Sequence, residues 1–386
     1  MNSQAVKPAL DGVVVLSVGH TLPGLYCLAM LRDLGARIIR IERLVHASEN
    51  EKPVNEKYKG MDVTFPIRSL TTGTEALSLD LKQEKGIEVF KKLVAQADVM
   101  LEGFRPGVMQ RLGIDYASLS KNKPELIYAA ITGYGQSGAY KDKAGHDINY
   151  LAETGVLALT NPVGLPGATY ADGMAGVSAA LNIVAAIHAK TKTGKGQMID
   201  CAIVDGPLSL MTSEFEYYWN TSESRGVGAN HLTGSHPWYG VYTTKDGKRV
   251  ALGAVEPVFY QTLCHALGLP ELANAQFAEG EALEQAQKKI TDAMAARTRD
   301  EIMGLFETHS ACVSPVWNTA EVMGSPLAIR ATVSEASTRE KKVRTPVRLP
   351  LAEASVAKSG HDVLLSLHFT KNEIEQLAQM GIISAT

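Results

Sequence analysis

A short β-branched run, Val13-Val14-Val15-Leu16, is followed by a Gly/Pro loop, a helix-like stretch reaching Leu34 and a second strand-like run, Ile38-Ile39-Arg40-Ile41-Glu42. Two strands joined through a helix are parallel neighbours, so this βαβ unit commits the chain to an α/β fold with a parallel sheet. The alternation continues with a helix over Gln83–Ala97, a strand around Val99-Met100-Leu101 and a strand Leu126–Ile131 ending in Thr132-Gly133-Tyr134-Gly135-Gln136. Sheets of this kind bind ligands outside the carboxyl ends of their strands.

Further along, Asp172 precedes an alanine-rich helical segment, Gly173–Lys190, whose small side chains permit close packing, and Gln197–Ala202 supplies another strand. A helix over Leu208–Trp219 and a Gly/Ser/His/Asn-rich stretch, Ser222–Pro237, lead to Tyr239–Thr244 and Arg249–Ala254. These two runs are joined by Lys245-Asp246-Gly247-Lys248, an Asp-Gly hairpin signal. A chain of 386 residues exceeds what one core usually supports. The expected division is a large Rossmann-like domain over 1–205 completed by 350–386, a linker over 206–235, a smaller α/β domain over 236–330 and a return linker over 331–349.

A net charge of −3 gives no blanket attraction to nucleic acid or anionic membrane, so an anionic ligand needs a local basic cluster. Cys27, Cys201, Cys264 and Cys312 are too far apart for a CxxC pair and too few for a disulfide scaffold, which reads as free thiols in a reducing cytoplasm. The N-terminal apolar stretch is too short for a signal or membrane segment.

A nicotinamide dehydrogenase would place an acidic residue where Glu42 ends the second strand, but the loop glycines, Gly19 and Gly24, lack the G-x-G-x-x-G cradle. Walker A, H-E-x-x-H and G-x-S-x-G are absent too. Three other residues draw attention. His146, in Gly145-His146-Asp147-Ile148-Asn149-Tyr150, lies just past the glycine-rich strand end; Asp172 heads a helix; Glu256 ends the hairpin strand. Each has a plain reading as well: a satisfied histidine at a helix start, a helix N-cap, an exposed loop carboxylate.

Taken together, Leu101–Val108, Thr132–Gly138, Ala144–Tyr150, Gly194 through Gly206 and Gly253–Tyr260 resemble the family III CoA-transferase (CaiB/BaiF) superfamily, and within it the α-methylacyl-CoA racemases. The resemblance runs from Leu10 to about Val322. It implies an interlocked homodimer acting on acyl-CoA, with CoA as part of the substrate and no metal or other cofactor. His146 and Asp172 would be opposed acid/base groups, with Glu256, brought by the partner subunit, orienting the imidazole. Arg43, Leu79, Arg105, Arg111, Gly145 and Tyr150 would bind the CoA portion.

Inverting a carbon α to a thioester needs a base on one face and a conjugate acid on the other, together with donors for the enolate oxygen. Backbone N–H groups at the start of the helix after Asp172 are the expected donors. Two other functions stay open: a CoA-transferase using Asp172 as nucleophile, and a CoA-binding protein without activity. Where the family carries a basic cluster, this chain reads Thr71-Thr72-Gly73-Thr74-Glu75, and Gly173-Met174-Ala175-Gly176 is closer to the transferase pattern.

Overall fold

The computed structural model describes residues 7–44, 68–160, 164–308, 310–334, 341–349 and 358–384. Its main sheet has six parallel strands: β1 (Val14–Val18), β2 (Arg37–Arg43), β3 (Glu75–Leu79), β4 (Val99–Glu102), β5 (Ile127–Thr132) and β6 (Met198–Ala202), in the order β3-β2-β1-β4-β5-β6. The chain steps outward from β1 through β2 to β3 and then returns to the other side of β1 with β4. That reversal opens a crevice at the strands' carboxyl ends. β4 and β5 are buried along their whole length, as expected of strands covered on both faces.

β3 was not foreseen. It is an outer strand, and its Leu79 bridges Ile383 while the Asp80 N–H donates to the Ile382 carbonyl at 2.9 Å. These contacts cover part of an edge that would otherwise template aggregation. The helices Gly360–Ser366 and Lys371–Gln379 reinforce this side, placing Val363, Leu364, Ile374 and Leu377 in the same core as Leu77, Leu79 and Phe90. Residues 350–357 of the expected C-terminal completion lie outside the described residues.

Among the helices of the same unit are α1 (Leu22–Asp33), α2 (Glu84–Gln96), α3 (Asp147–Glu153) and α4 (Tyr170–Thr193). The length and hydropathy of α4 would suit a bilayer span. Here they serve close packing, because Ala175, Gly176, Ala179, Ala180 and Ile183 are all buried. A Cβ on Gly176 would stand 2.5 Å from the Tyr26 Cβ and 2.8 Å from the Pro23 carbonyl oxygen, so α1 and α4 meet backbone against backbone.

By contacts, 1–154, 167–210 and 331–386 form one unit, and 155–166 with 211–330 form another. In the second unit β7 (Tyr239–Thr243), β8 (Arg249–Gly253) and β9 (Val313–Pro315) make an antiparallel sheet, flanked in the chain by α5 (Thr212–Thr221), α6 (Pro257–Leu267) and α7 (Gly280–Ala295). The hairpin closes as the Asp-Gly signal requires, with Thr244 N–H donating to the Lys248 carbonyl (3.0 Å) and Gly247 at φ +73°. Much of the expected 206–235 linker belongs to this unit. Arg225 binds both carboxylate oxygens of Glu214 at 2.9 and 3.0 Å and lies over the Tyr217 ring, while Asn230 donates to the same carboxylate.

Helix propensity alone favours alanine over glycine by about 1 kcal/mol. At position 176 the sign should reverse, because the added methyl meets a carbonyl that cannot move aside. Gly176→Ala is therefore expected to lower stability by about 1–3 kcal/mol in urea denaturation.

Candidate active site

Beyond β5 the chain runs through its glycine-rich loop and returns at Gly145, where Tyr150 fixes its path. The Tyr150 hydroxyl donates to the Gly145 carbonyl at 2.9 Å. A Cβ at Gly133 would lie 2.6 Å from that hydroxyl, and one at Gly145 would lie 2.9 Å from the ring, so both positions need glycine for the ring to fit. Tyr134 meets Tyr150 edge-on at 5.3 Å and donates to Glu153, which also takes Lys143 at 2.7 Å. The loop is thereby tied to α3.

His146 stands immediately before α3 in extended conformation, exposed, with its backbone N–H donating to the Asn149 side-chain oxygen at 3.0 Å. Asp147 is the first residue of α3, and its Oδ1 accepts the N–H of Asp172 at 3.0 Å. One carboxylate thus joins the beginnings of α3 and α4. The plain reading of Asp172 as an N-cap does not apply: Thr169 holds that place and Asp172 sits two residues inside the helix. There its N–H is one of the amides without an intrahelical acceptor, and Asp147 supplies the acceptor. The Asp172 amide is thereby committed to Asp147.

Burial raises the Asp172 carboxyl from 3.8 to about 6; the neighbouring Asp147 charge adds to the rise and His146 opposes it. The Tyr150 hydroxyl is also raised, by burial first and then by the Asp172 charge. His146, Asp147, Tyr150 and Asp172 therefore form one electrostatically coupled cluster. Asp147 lay inside the motif noted in the sequence, but its role did not show there.

A cavity of about 480 Å³ occupies the carboxyl ends of β1 to β4 on the same sheet. Its apolar walls include Val18, Ile41, Leu79, Phe104, Val108 and Leu112, and its charged groups are Glu42, Arg43, Asp80 and Lys82. Of the expected binding residues, Arg43 and Leu79 line it. Arg105 and Arg111 are exposed, interleaved in sequence with the lining residues Phe104, Val108 and Leu112. Lys82 was missed, although it lies only three positions past Leu79.

His20 was missed as well. It lines the cavity, and burial, reinforced by the Arg40 charge, lowers it to about 4, so it is neutral near pH 7. The Thr71–Glu75 stretch anchors arginines of β2: Thr74 accepts from Arg40 at 2.9 Å, and buried Glu75 takes Arg37 at 2.7 Å. Glu256 belongs to the second unit, where it is exposed at the N-cap of α6. Among the described residues, no group of three His, Cys, Asp or Glu side chains is arranged to hold a metal ion.

Residues 10–360 match the model for CoA-transferase family III. The chain is 36% identical to the human protein named alpha-methylacyl-CoA racemase over 331 residues, which span 82% of this chain and 79% of that one. It is 31% identical to a protein of Chloroflexus aurantiacus named succinyl-CoA–D-citramalate CoA-transferase, covering 84% and 83% of the two chains. The crystal structure of a CaiB/BaiF family protein from Brucella suis superposes with a TM-score of 0.76 at 24% identity, over 94% of this chain and 100% of that one.

Asp147→Asn removes a charge that raises Asp172 while keeping an oxygen to accept its N–H. The Asp172 carboxyl is expected to titrate below its present value of about 6, as read by carbon-NMR titration of that side chain. An unchanged midpoint would show that the charge of Asp147 has no effect.

Proposed function

The chain belongs to CoA-transferase family III, and from that premise we propose that it interconverts the R and S forms of 2-methyl-branched acyl-CoA thioesters by 1,1-proton transfer through an enolate. The observation that carries this reading is the half-buried Asp172 carboxyl, raised to about 6 and electrostatically coupled to His146. Burial brings it toward neutral pH, where a carboxyl can both take up and give back a proton. A racemase working in both directions requires each of its two groups to serve as base with one substrate hand and as acid with the other. With one substrate hand the ionised carboxylate takes the α-proton and an imidazolium returns one to the opposite face; with the other hand the neutral imidazole is the base and the carboxylic acid the donor.

In this reading CoA is part of the substrate, and no metal or redox cofactor takes part. Its nucleotide end would occupy the β1–β4 cavity, with Arg43 and Lys82 as local cations and Leu79 against the base. Arg105 and Arg111 would meet phosphates from the rim, and Tyr150 with Gly145 would lie near the thioester. The enzyme would work in the cytoplasm. The protein would be a homodimer in which Glu256 of the partner subunit orients the imidazole. The apolar outer face of α4, with Val177 47% and Leu181 69% exposed, supports an interface.

The second reading, a CoA-transferase, is favoured by the Chloroflexus relative. Asp172 would then attack the thioester carbonyl, releasing CoA thiolate and forming a mixed anhydride. The two part company in D2O. Given a 2-methylacyl-CoA and no carboxylate acceptor, the racemase incorporates deuterium at the α-carbon by NMR, and the transferase does not. We expect incorporation by the wild type and its loss in His146→Ala; no exchange by the wild type sinks the proposal. Leu181→Asp is expected to shift the mass measured by light scattering from dimer to monomer, and an unchanged mass would remove α4 from the interface.

A further inference from the structure

The turn that carries Glu256 is held from behind by a brace for which no role has yet been assigned. Trp238, just ahead of β7, is only 3% exposed. Its carbonyl accepts the Ala254 N–H at 2.9 Å, and its indole N–H donates to the backbone carbonyl of Gln276 at 2.9 Å. The side chain of the same Gln276 then donates through Nε2 to the Val255 carbonyl at 2.6 Å. Residues 254 and 255 are thus tied to one tryptophan by two routes, the first through its main-chain carbonyl and the second through its indole and Gln276.

The next residue is Glu256, and its backbone is held on the far side as well. Its carbonyl accepts from Phe259 and Tyr260 at 3.0 and 3.1 Å, opening α6. Fixing the main chain on both sides leaves chiefly the side-chain torsions of Glu256 free. The base of the brace is rigid too. The indole packs against the imidazoles of His231 and His236, at 5.6 and 5.0 Å with interplanar angles of 28° and 31°, and against the edge of Phe277 at 6.2 Å.

Gln276 is only 6% exposed. A buried amide is costly unless it is hydrogen-bonded, and a methionine would fill similar space without that demand. What glutamine adds is a directed donor at the residue before Glu256. We infer that Gln276 is a positioning residue that aims the Glu256 carboxylate, acting through the Val255 carbonyl. The inference rests on the proposed role of Glu256 in orienting the catalytic imidazole.

Gln276→Met removes the side-chain donor while keeping the backbone carbonyl that Trp238 uses. The expected result is a fall in kcat for α-proton exchange of about ten-fold, with KM changed by less than about two-fold, as for misaimed rather than lost binding groups. In a Glu256→Gln background the same change should cost nothing further, because its target has already been disabled. Gln276→Glu should recover rate as pH falls and the carboxyl becomes a donor. An equal loss in both backgrounds would make Gln276 merely structural and overturn the inference. So would full activity of Gln276→Met beside an impaired Glu256→Gln. If Glu256→Gln itself exchanges normally, or the wild type does not exchange at all, the role proposed for Glu256 fails and the inference falls with it.

Discussion

The contact between α1 and α4 governs both halves of the site in the first unit. It is a backbone contact: Gly176 sits over Pro23 and Tyr26 with no room for a methyl. α1 begins just after Gly19 and His20, which wall the cavity, and α4 begins with the turn that carries Asp172. The cavity wall and the Asp172 carboxyl therefore share one rigid separation. Packed interiors transmit such a constraint because they have little free volume to absorb a shift. A second tie, from Asp147 to the Asp172 amide, sets α3 and hence His146 against the same helix.

The electrostatics of the cluster follow from that packing. Burial is the largest influence on Asp172, the Asp147 charge adds to it, and His146 pulls the other way. A carboxylate bonded to a helical amide would ordinarily become more acidic. Here that amide N–H goes to Asp147, so Asp172 is denied it and gains a like charge nearby instead. That hydrogen bond aligns two helices, and the Asp147 charge it brings close helps raise the Asp172 carboxyl.

Much of the fold was legible because the central strands are covered on both faces and read as uninterrupted apolar runs. Tyr128–Ile131 and Val99–Leu101 are of that kind. β3 escaped notice because Glu75 and Ser78 break its pattern, and the burial of Glu75 makes sense only once Arg37 from β2 is beside it. The His146 motif and Asp172 were visible as residues, yet their connection through Asp147 depends on where two loops end. Lys82 and His20 line a cavity assembled from four strand ends, which no local window contains. Gln276 has no motif around it at all, and its importance comes from a carbonyl 21 positions away in sequence.

The bridging of Leu79 and Asp80 to Ile383 and Ile382 also bears on how the molecule comes into being. Those two residues form part of the cavity wall, and their cover arrives from a stretch translated after the entire second unit. On the ribosome, β3 has to wait as an open strand while the second unit emerges, and such distant pairings form late. The cavity is consequently among the last parts of the protein to mature. A nascent chain interrupted shortly before this stretch would carry His146, Asp172 and Glu256 and still lack a finished cavity wall.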